Sequence, residues 1–305
     1  MEKIFIKDFK NVELHPHTGD RSGWFNTLNK SIKTEICDDG LQHITSICII
    51  NPYFYDLPES IKNLKYLKEL KLEYAGTVKN IPENFFTLKS LEKIQLDRLY
   101  LIKLPGNINN LTKLKYLSFE FNNIEKIPNG LGSLKLLEEL NVRKNQIRKI
   151  PSAVTKCESL TIFNASSNNI KVIPKRIGEL KNLKLLSLAR NKINELPDSI
   201  GNLKKIEKIN LNNNELKFLP DGICSCSSLK ELRISDNKIH CLPEKIGDLK
   251  NLEILTIRNN SIKFIPTSVS KLKKLKKLYL DSKVESNINK LPLNKLLPNT
   301  KILRV

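Results

Sequence analysis

Apolar residues recur along most of the chain in one fixed frame. A representative stretch reads Leu114-x-x-Leu117-x-Phe119-x-x-Asn122-x-Ile124-x-x-Ile127-Pro128, followed by Leu131 and Leu134. The next holds Leu137, Leu140, Val142, Asn145, Ile147, Ile150, Pro151 and Val154, and the one after it Leu160, Phe163, Ala165, Asn168, Ile170, Ile173 and Pro174. The frame restarts at Leu183, Ile206, Leu229, Leu252 and Leu275, and upstream at Ile44, Leu67 and Leu91, which makes eleven units. Prolines 82, 105, 128, 151, 174, 197, 220, 243 and 266 are each 23 residues apart, with Pro58 24 before them and Pro292 26 after. Thr300-x-x-Leu303-x-Val305 reads as the strand of a twelfth, truncated unit.

Within each unit the Leu-x-x-Leu-x-Leu run alternates about a short strand, so that Leu117 and Phe119 share one face. A single unit cannot bury that face alone; stacked units share a continuous core, and their strands form a parallel sheet. Asn122, Asn145, Asn168, Asn191, Asn214, Asn237 and Asn260 then stand in one column. An inward amide offers two donors and an acceptor to backbone groups of adjacent turns, which are buried and need partners. The proline fixes φ and cannot extend a ladder, so it starts the return segment. Apolar residues such as Ile200, Leu203 and Ile206 predict a short helix or 3₁₀ segment there.

The L-x-x-L-x-L-x-x-N-x-L-x-x-L-P pattern, with its L-P-x-x-I-G-x-L form at Leu196 to Leu203, resembles the leucine-rich repeat family over roughly residues 44–305. The variant is similar to that of bacterial repeat proteins, spirochaete ones included, and to cytosolic repeat proteins related to Ras signalling. The resemblance implies an α/β solenoid: a leucine-rich repeat horseshoe with a parallel sheet on its concave face and short helical or 3₁₀ segments on the convex face. It also implies a non-enzymatic scaffold that binds a protein partner through the concave face, with a bacterial host-interaction protein among the forms this takes. A self-associating homo-oligomer is the rival reading.

The ends depart from the frame. Pro52, Ala75, Leu99 and Lys283 stand where Asn is expected. Residues 1–43 do not repeat; with Trp24 beside Phe25, and Leu28 and Ile32 at helical spacing, they read as an N-terminal cap over the repeat domain of 44–305. An independent domain of that length is marginal without metal or disulfides. The start lacks the long apolar core of a secretory signal and no run of about 18 apolar residues occurs, which points to a cytoplasmic chain without a membrane span.

Charge and cysteines change the picture little. The net charge of +20 raises nucleic acid or anionic lipid as partners. However, basic and acidic residues nearly balance at the open strand positions, and the excess lysines are spread over turns and the convex side, so nucleic acid is not the expected partner. Neither a phosphate-cradling loop, nor H-E-x-x-H, nor G-x-S-x-G occurs. Cys37-Asp38-Asp39 matches the letters of a ubiquitin-ligase nucleophile but sits in the cap. Cys224, Cys226, His240 and Cys241 are the one group worth weighing for zinc; Cys226 and Cys157 occupy core positions of their units, which leaves too few ligands. His15 and His17 read as loop residues. No metal or cofactor is expected.

Binding energy concentrates on aromatic residues and Arg. These favour the N-terminal half, with Tyr74, Arg98, Tyr116, Phe121, Arg143 and Lys144 among Glu69, Lys71, Glu73, Lys93, Gln95, Asp97, Glu120, Glu139 and Asn141. The middle units offer mostly small or neutral residues, Arg190 excepted.

Overall fold

A computed structural model describes residues 30–36, 41–50, 57–73, 81–104, 106–262, 265–281 and 293–304. The expectations for Trp24, Phe25, Leu28, Cys37, Pro52, Tyr74, Ala75, Lys283 and the two N-terminal histidines fall outside them. The chain divides into two compact units, 1–146 and 147–305. Both are built from the same repeat, and both have the leucine-rich repeat solenoid fold.

The first unit holds strands β1 (Lys30–Ile36), β2 (Gln42–Ile50), β3 (Glu69–Glu73), β4 (Lys93–Asp97), β5 (Tyr116–Ser118) and β6 (Glu139–Asn141), in that spatial order. β2 to β6 are parallel and in register, with Leu70 beside Ile94 and Leu117 beside Leu140. β1 pairs antiparallel with β2. Ile32 therefore belongs to an extended strand, and the helical spacing read from Leu28 to Ile32 is corrected: a period-two edge against β2 satisfies a row of backbone groups that a helix would leave open.

The second unit holds β7 (Ile162–Asn164), β8 (Leu185–Ser187), β9 (Lys208–Asn210), β10 (Glu231–Arg233), β11 (Ile254–Thr256), β12 (Lys277–Leu280) and β13 (Lys301–Arg304), all parallel. The last strand sets Ile302, not Leu303, beside Leu278. The inward frame read from Thr300-x-x-Leu303 is thus one residue out of step, and a slip of one exchanges the two faces of a strand. The Thr300 hydroxyl anchors the observed register by donating to the Leu275 carbonyl at 2.7 Å.

On the opposite side the described return segments between β2 and β12 are 3₁₀ turns, and the one between β12 and β13 is a single α-helical turn, Leu293–Leu296. The prolines enter the 3₁₀ turns with φ between −59° and −72°. The Pro197 carbonyl accepts from Ile200 N–H, that of Ile200 from Leu203 N–H, and that of Leu203 from Ile206 N–H. A 3₁₀ helix eclipses residues three apart, so all three side chains point the same way, and all are fully buried. The segments lie so close that a Cβ added at Gly201 would collide with the Gly222 carbonyl oxygen, which is why glycine stands there.

The Asn column is the polar counterpart of this core. Asn191 Nδ2 donates to Ala165 O and Leu188 O, both at 3.0 Å, while its Oδ1 accepts from Ile170 N–H at 3.0 Å. Asn145, Asn214 and Asn237 repeat the arrangement. The residue before each Asn takes a left-handed conformation although none is glycine: φ is 56° at Phe121, 53° at Lys144 and 57° at Arg190. The N–H of this residue joins the ladder, as Arg190 N–H does on Asn212 O at 2.8 Å. Where Leu99 replaces Asn, a second left-handed residue follows at Tyr100 (φ 61°), and Asn122 Oδ1 accepts from both Leu99 and Leu101 N–H at 3.0 Å.

One rim carries a charge alternation that the composition conceals. The residue after the first Leu of successive units is Lys68, Glu92, Lys115 and Glu138 in the first unit, and Thr161, Lys184, Glu207, Lys230, Glu253 and Lys276 in the second. In-register stacking sets them side by side, and Lys115–Glu92, Lys230–Glu207 and Lys276–Glu253 pair at 2.7, 2.8 and 2.6 Å. Identical residues there would repel.

Asn191→Ala leaves the buried Ile170 N–H without its acceptor and takes one of two donors from the Ala165 and Leu188 carbonyls, and is expected to cost ~2 kcal/mol in urea unfolding. Lys230→Glu would line up three acids on the rim. It is expected to lower the melting temperature in low salt, with the loss shrinking at about 0.5 M salt, where the Debye length is only a few ångströms.

Candidate protein-binding face

The side chains between the core positions of each strand project onto the open face of the sheet. In the first unit the register sets Glu69, Lys93, Tyr116 and Glu139 in one row and Lys71, Gln95, Ser118 and Asn141 in the next. Beyond them come Glu73, Asp97, Glu120 and Arg143, and then the left-handed residues Arg98, Phe121 and Lys144.

The outermost column is a stack of cations on an aromatic ring. The Arg98 guanidinium lies 3.9 Å and the Lys144 ammonium 4.0 Å from the centroid of Phe121, with Arg143 at 5.5 Å. Such contacts hold the ring by its quadrupole. Arg143 also reaches Glu120 Oε1 at 2.6 Å, and Lys71 pairs with Glu73 at 3.1 Å. Lys93 lies over Tyr116 at 5.2 Å. Burial raises the Tyr116 hydroxyl pKa, helped by the Glu139 charge; burial likewise raises that of Glu139, against the opposing charge of Lys93.

Asp97 does not present itself to a partner. Only 7% of it is exposed. Its Oδ1 accepts from the Ser118 hydroxyl and the Glu120 N–H, both at 2.7 Å, and its Oδ2 from Gln95 Nε2 at 2.8 Å. The N–H at this strand end has no ladder partner and draws in whatever acceptor is nearest. Asn141 does the same task for Arg143 N–H at 3.2 Å while its Nδ2 holds Glu120 Oε2 at 3.0 Å. Asp97 is therefore withdrawn from the exposed set, and Asn141 is largely committed to the backbone. Reading open positions from periodicity alone missed this requirement. Arg190 belongs to the second unit, where it is exposed.

The second unit has a feature that the sequence reading passed over. A cavity of about 170 Å³ opens over β8, β9 and β10, with Ser187 and Asn210 between longer side chains. Asn164 and Asn210 cap the backbone N–H groups of Ser166 and Asn212 at 3.2 Å. The Ser166 and Ser187 hydroxyls meet at 2.7 Å.

The cysteines show no ligand cluster. Cys224 and Cys226 are buried, and burial pushes their thiols up to about 12 and about 11. His240 and Cys241 are exposed. Among the described residues no group of three or more His, Cys, Asp or Glu could hold a metal ion, and no helix is long and apolar enough to cross a membrane.

Comparison with known proteins places this architecture. The family model described as "Leucine-rich repeat region" matches residues 102–183 and 222–302, more than half of the chain, and a second leucine-rich repeat model covers 158–216 and 181–239. The chain belongs to the leucine-rich repeat family. No curated protein matches it. Among solved structures it is similar to a plant peptide hormone receptor, RGFR1, determined in complex with RGF2, at 25% identity and a TM-score of 0.67, over 81% of this chain and 48% of the receptor. It is also similar to a leucine-rich repeat protein of Leptospira interrogans (27%, TM-score 0.50, 82% and 81% of the two chains). A Listeria monocytogenes internalin shares the fold at 18% identity and a TM-score of 0.60, over 85% of this chain and 82% of the internalin. The chain spans about half the length of the plant receptor it matches.

Burial raises the Asp97 pKa, against the hydrogen bonds from Ser118, Glu120 N–H and Gln95. The folded protein then holds this proton more tightly than the unfolded chain, so stability from this group is fully present below the unfolded pKa and is lost as pH rises through the folded value. Measured against Asp97→Asn in urea unfolding, the wild type is expected to gain stability as pH falls from about 7 towards about 4.

Proposed function

We propose that the chain is a non-enzymatic scaffold that binds a protein partner through the open face of its repeats, chiefly with β3 to β6 of the first unit. The observation that carries this reading is the arrangement around Phe121. The scaffold uses the inward Leu, Ile and Asn of the repeats; it has no use for a part-exposed phenylalanine held between Arg98 and Lys144, near Arg143 and on the same face as Tyr116. Aromatic and Arg anchors fixed in place lose little entropy on binding and are the residue types that dominate interface energy.

The comparisons support the general reading. A relative of similar fold is a receptor whose structure holds RGF2. The likeness to the Leptospira interrogans repeat protein supports a bacterial setting. Glu69, Lys71, Glu73, Lys93 and Glu139 serve here as a charged surround that selects among partners, because half-exposed pairs add specificity more than affinity.

A double variant tests the patch. Tyr116→Ala with Arg143→Glu is expected to lower capture of the partner about tenfold, the usual effect of removing two anchors, with the melting curve retained. Unchanged capture by a folded double variant would remove this face from the account.

A further inference from the structure

The cavity over β8, β9 and β10 is built from groups that seek a hydrogen-bond acceptor. We infer that it is a subsite for a carboxylate side chain, Asp or Glu, of a partner polypeptide; this rests on the reading of the open face as a protein-binding surface. Leu185, Ser187, Lys208, Asn210, Glu231 and Arg233 line it.

Asn210 shows the direction of the chemistry. Its Oδ1 is taken by the N–H of Asn212 at 3.2 Å. That bond fixes the amide plane and turns Nδ2 outward, where it has no hydrogen-bond partner among the described residues. The backbone thus orients a donor into the cavity. Arg233 adds a second. It grips Glu231 Oε1 through Nε, so the Nη edge of the guanidinium is left for another acceptor. Lys208 Nζ lies 3.9 Å from Glu231 Oε2, a loose pairing, and its side chain is 57% exposed.

The charges decide the ligand. Glu231 is the one acid in the lining, and its side chain is only 12% exposed between the two cations. Two cations and one carboxylate leave a single positive charge at the mouth. That charge, a free guanidinium edge and an oriented amide match one carboxylate, which Arg receives in bidentate fashion. Leu185 forms an apolar wall beside them, half-buried, and covers the aliphatic stem that an Asp or Glu side chain carries and an inorganic anion lacks. A basic side chain would meet Lys208 and Arg233 and is excluded by repulsion.

The test uses the full chain, isotope-labelled, with acetyl-Leu-Glu-Leu-amide as probe at about 0.15 M salt, where nonspecific attraction to the basic surface is screened. Amide and methyl NMR signals are followed. The expected result is a saturable shift of the Asn210 side-chain NH₂ and the Leu185 methyls, with acetyl-Leu-Gln-Leu-amide needing about tenfold more peptide, the worth of one charge-assisted contact. Lys208→Gln with Arg233→Gln, its fold checked by its amide spectrum, is expected to weaken the Glu peptide by a similar factor. The assignment is overturned if Asn210 and Leu185 show no saturable shift, if the Gln peptide binds equally, or if inorganic phosphate titrates the same signals at lower concentration than the Glu peptide. Such a failure leaves the scaffold reading standing if the Tyr116→Ala, Arg143→Glu variant still loses its partner.

Discussion

From β5 to β11 each strand of this protein ends in a turn whose backbone groups are shut away from water. The core cannot supply them with partners, because its other residues are almost all apolar, Leu and Ile above all. One inward amide in each repeat from Asn122 to Asn260 solves the problem: its NH₂ group holds carbonyls of two turns while its oxygen takes an N–H. Since donor and acceptor come from neighbouring repeats, the same bond that satisfies the turn also fixes the distance and register between units. The 23-residue period follows from this. So does the cost of the left-handed residue before each Asn, roughly 1 kcal/mol for a side chain with a Cβ, which persists because the ladder holds it from both sides.

From that constraint comes a division of labour along each strand. Inward positions are spoken for by packing, and the 3₁₀ side by glycine and apolar contacts. The open face retains freedom, but less than alternation suggests. The last N–H of each strand needs an acceptor, and Asp97, Asn141, Asn164 and Asn210 provide it. What remains for recognition is narrower and more definite: an aromatic ring between cations in the first unit, and a donor-lined hollow in the second.

Much of the fold was legible in the residues themselves, because period and chemistry agree at every repeat from Leu114 to Leu252. The failures have physical causes. The last strand slipped by one residue since Ile302 and Leu303 are equally apolar, and only the Thr300 hydroxyl tells them apart. Ile32 was assigned by spacing alone, which cannot weigh the unpaired edge of β2. Asp97 looked like surface because acids usually are; its burial depends on Ser118 and Gln95 in neighbouring positions. The Lys and Glu alternation on the rim was written in the sequence but emerges only when the repeats are laid side by side. The hollow over β9 emerges only when Leu185, Lys208, Asn210 and Arg233, scattered over three repeats, are brought side by side by the register.

The central claim is that the face bearing Tyr116, rather than the outer surface, meets the partner. Site-specific photocrosslinking measures this directly. A benzophenone side chain at Tyr116 conserves the aromatic anchor, and one at Leu136, an exposed apolar residue off the open face, serves as the reference. In extracts of the native cell the account predicts a discrete protein adduct from Tyr116 and none from Leu136. An adduct at Leu136 with none at Tyr116 would contradict it.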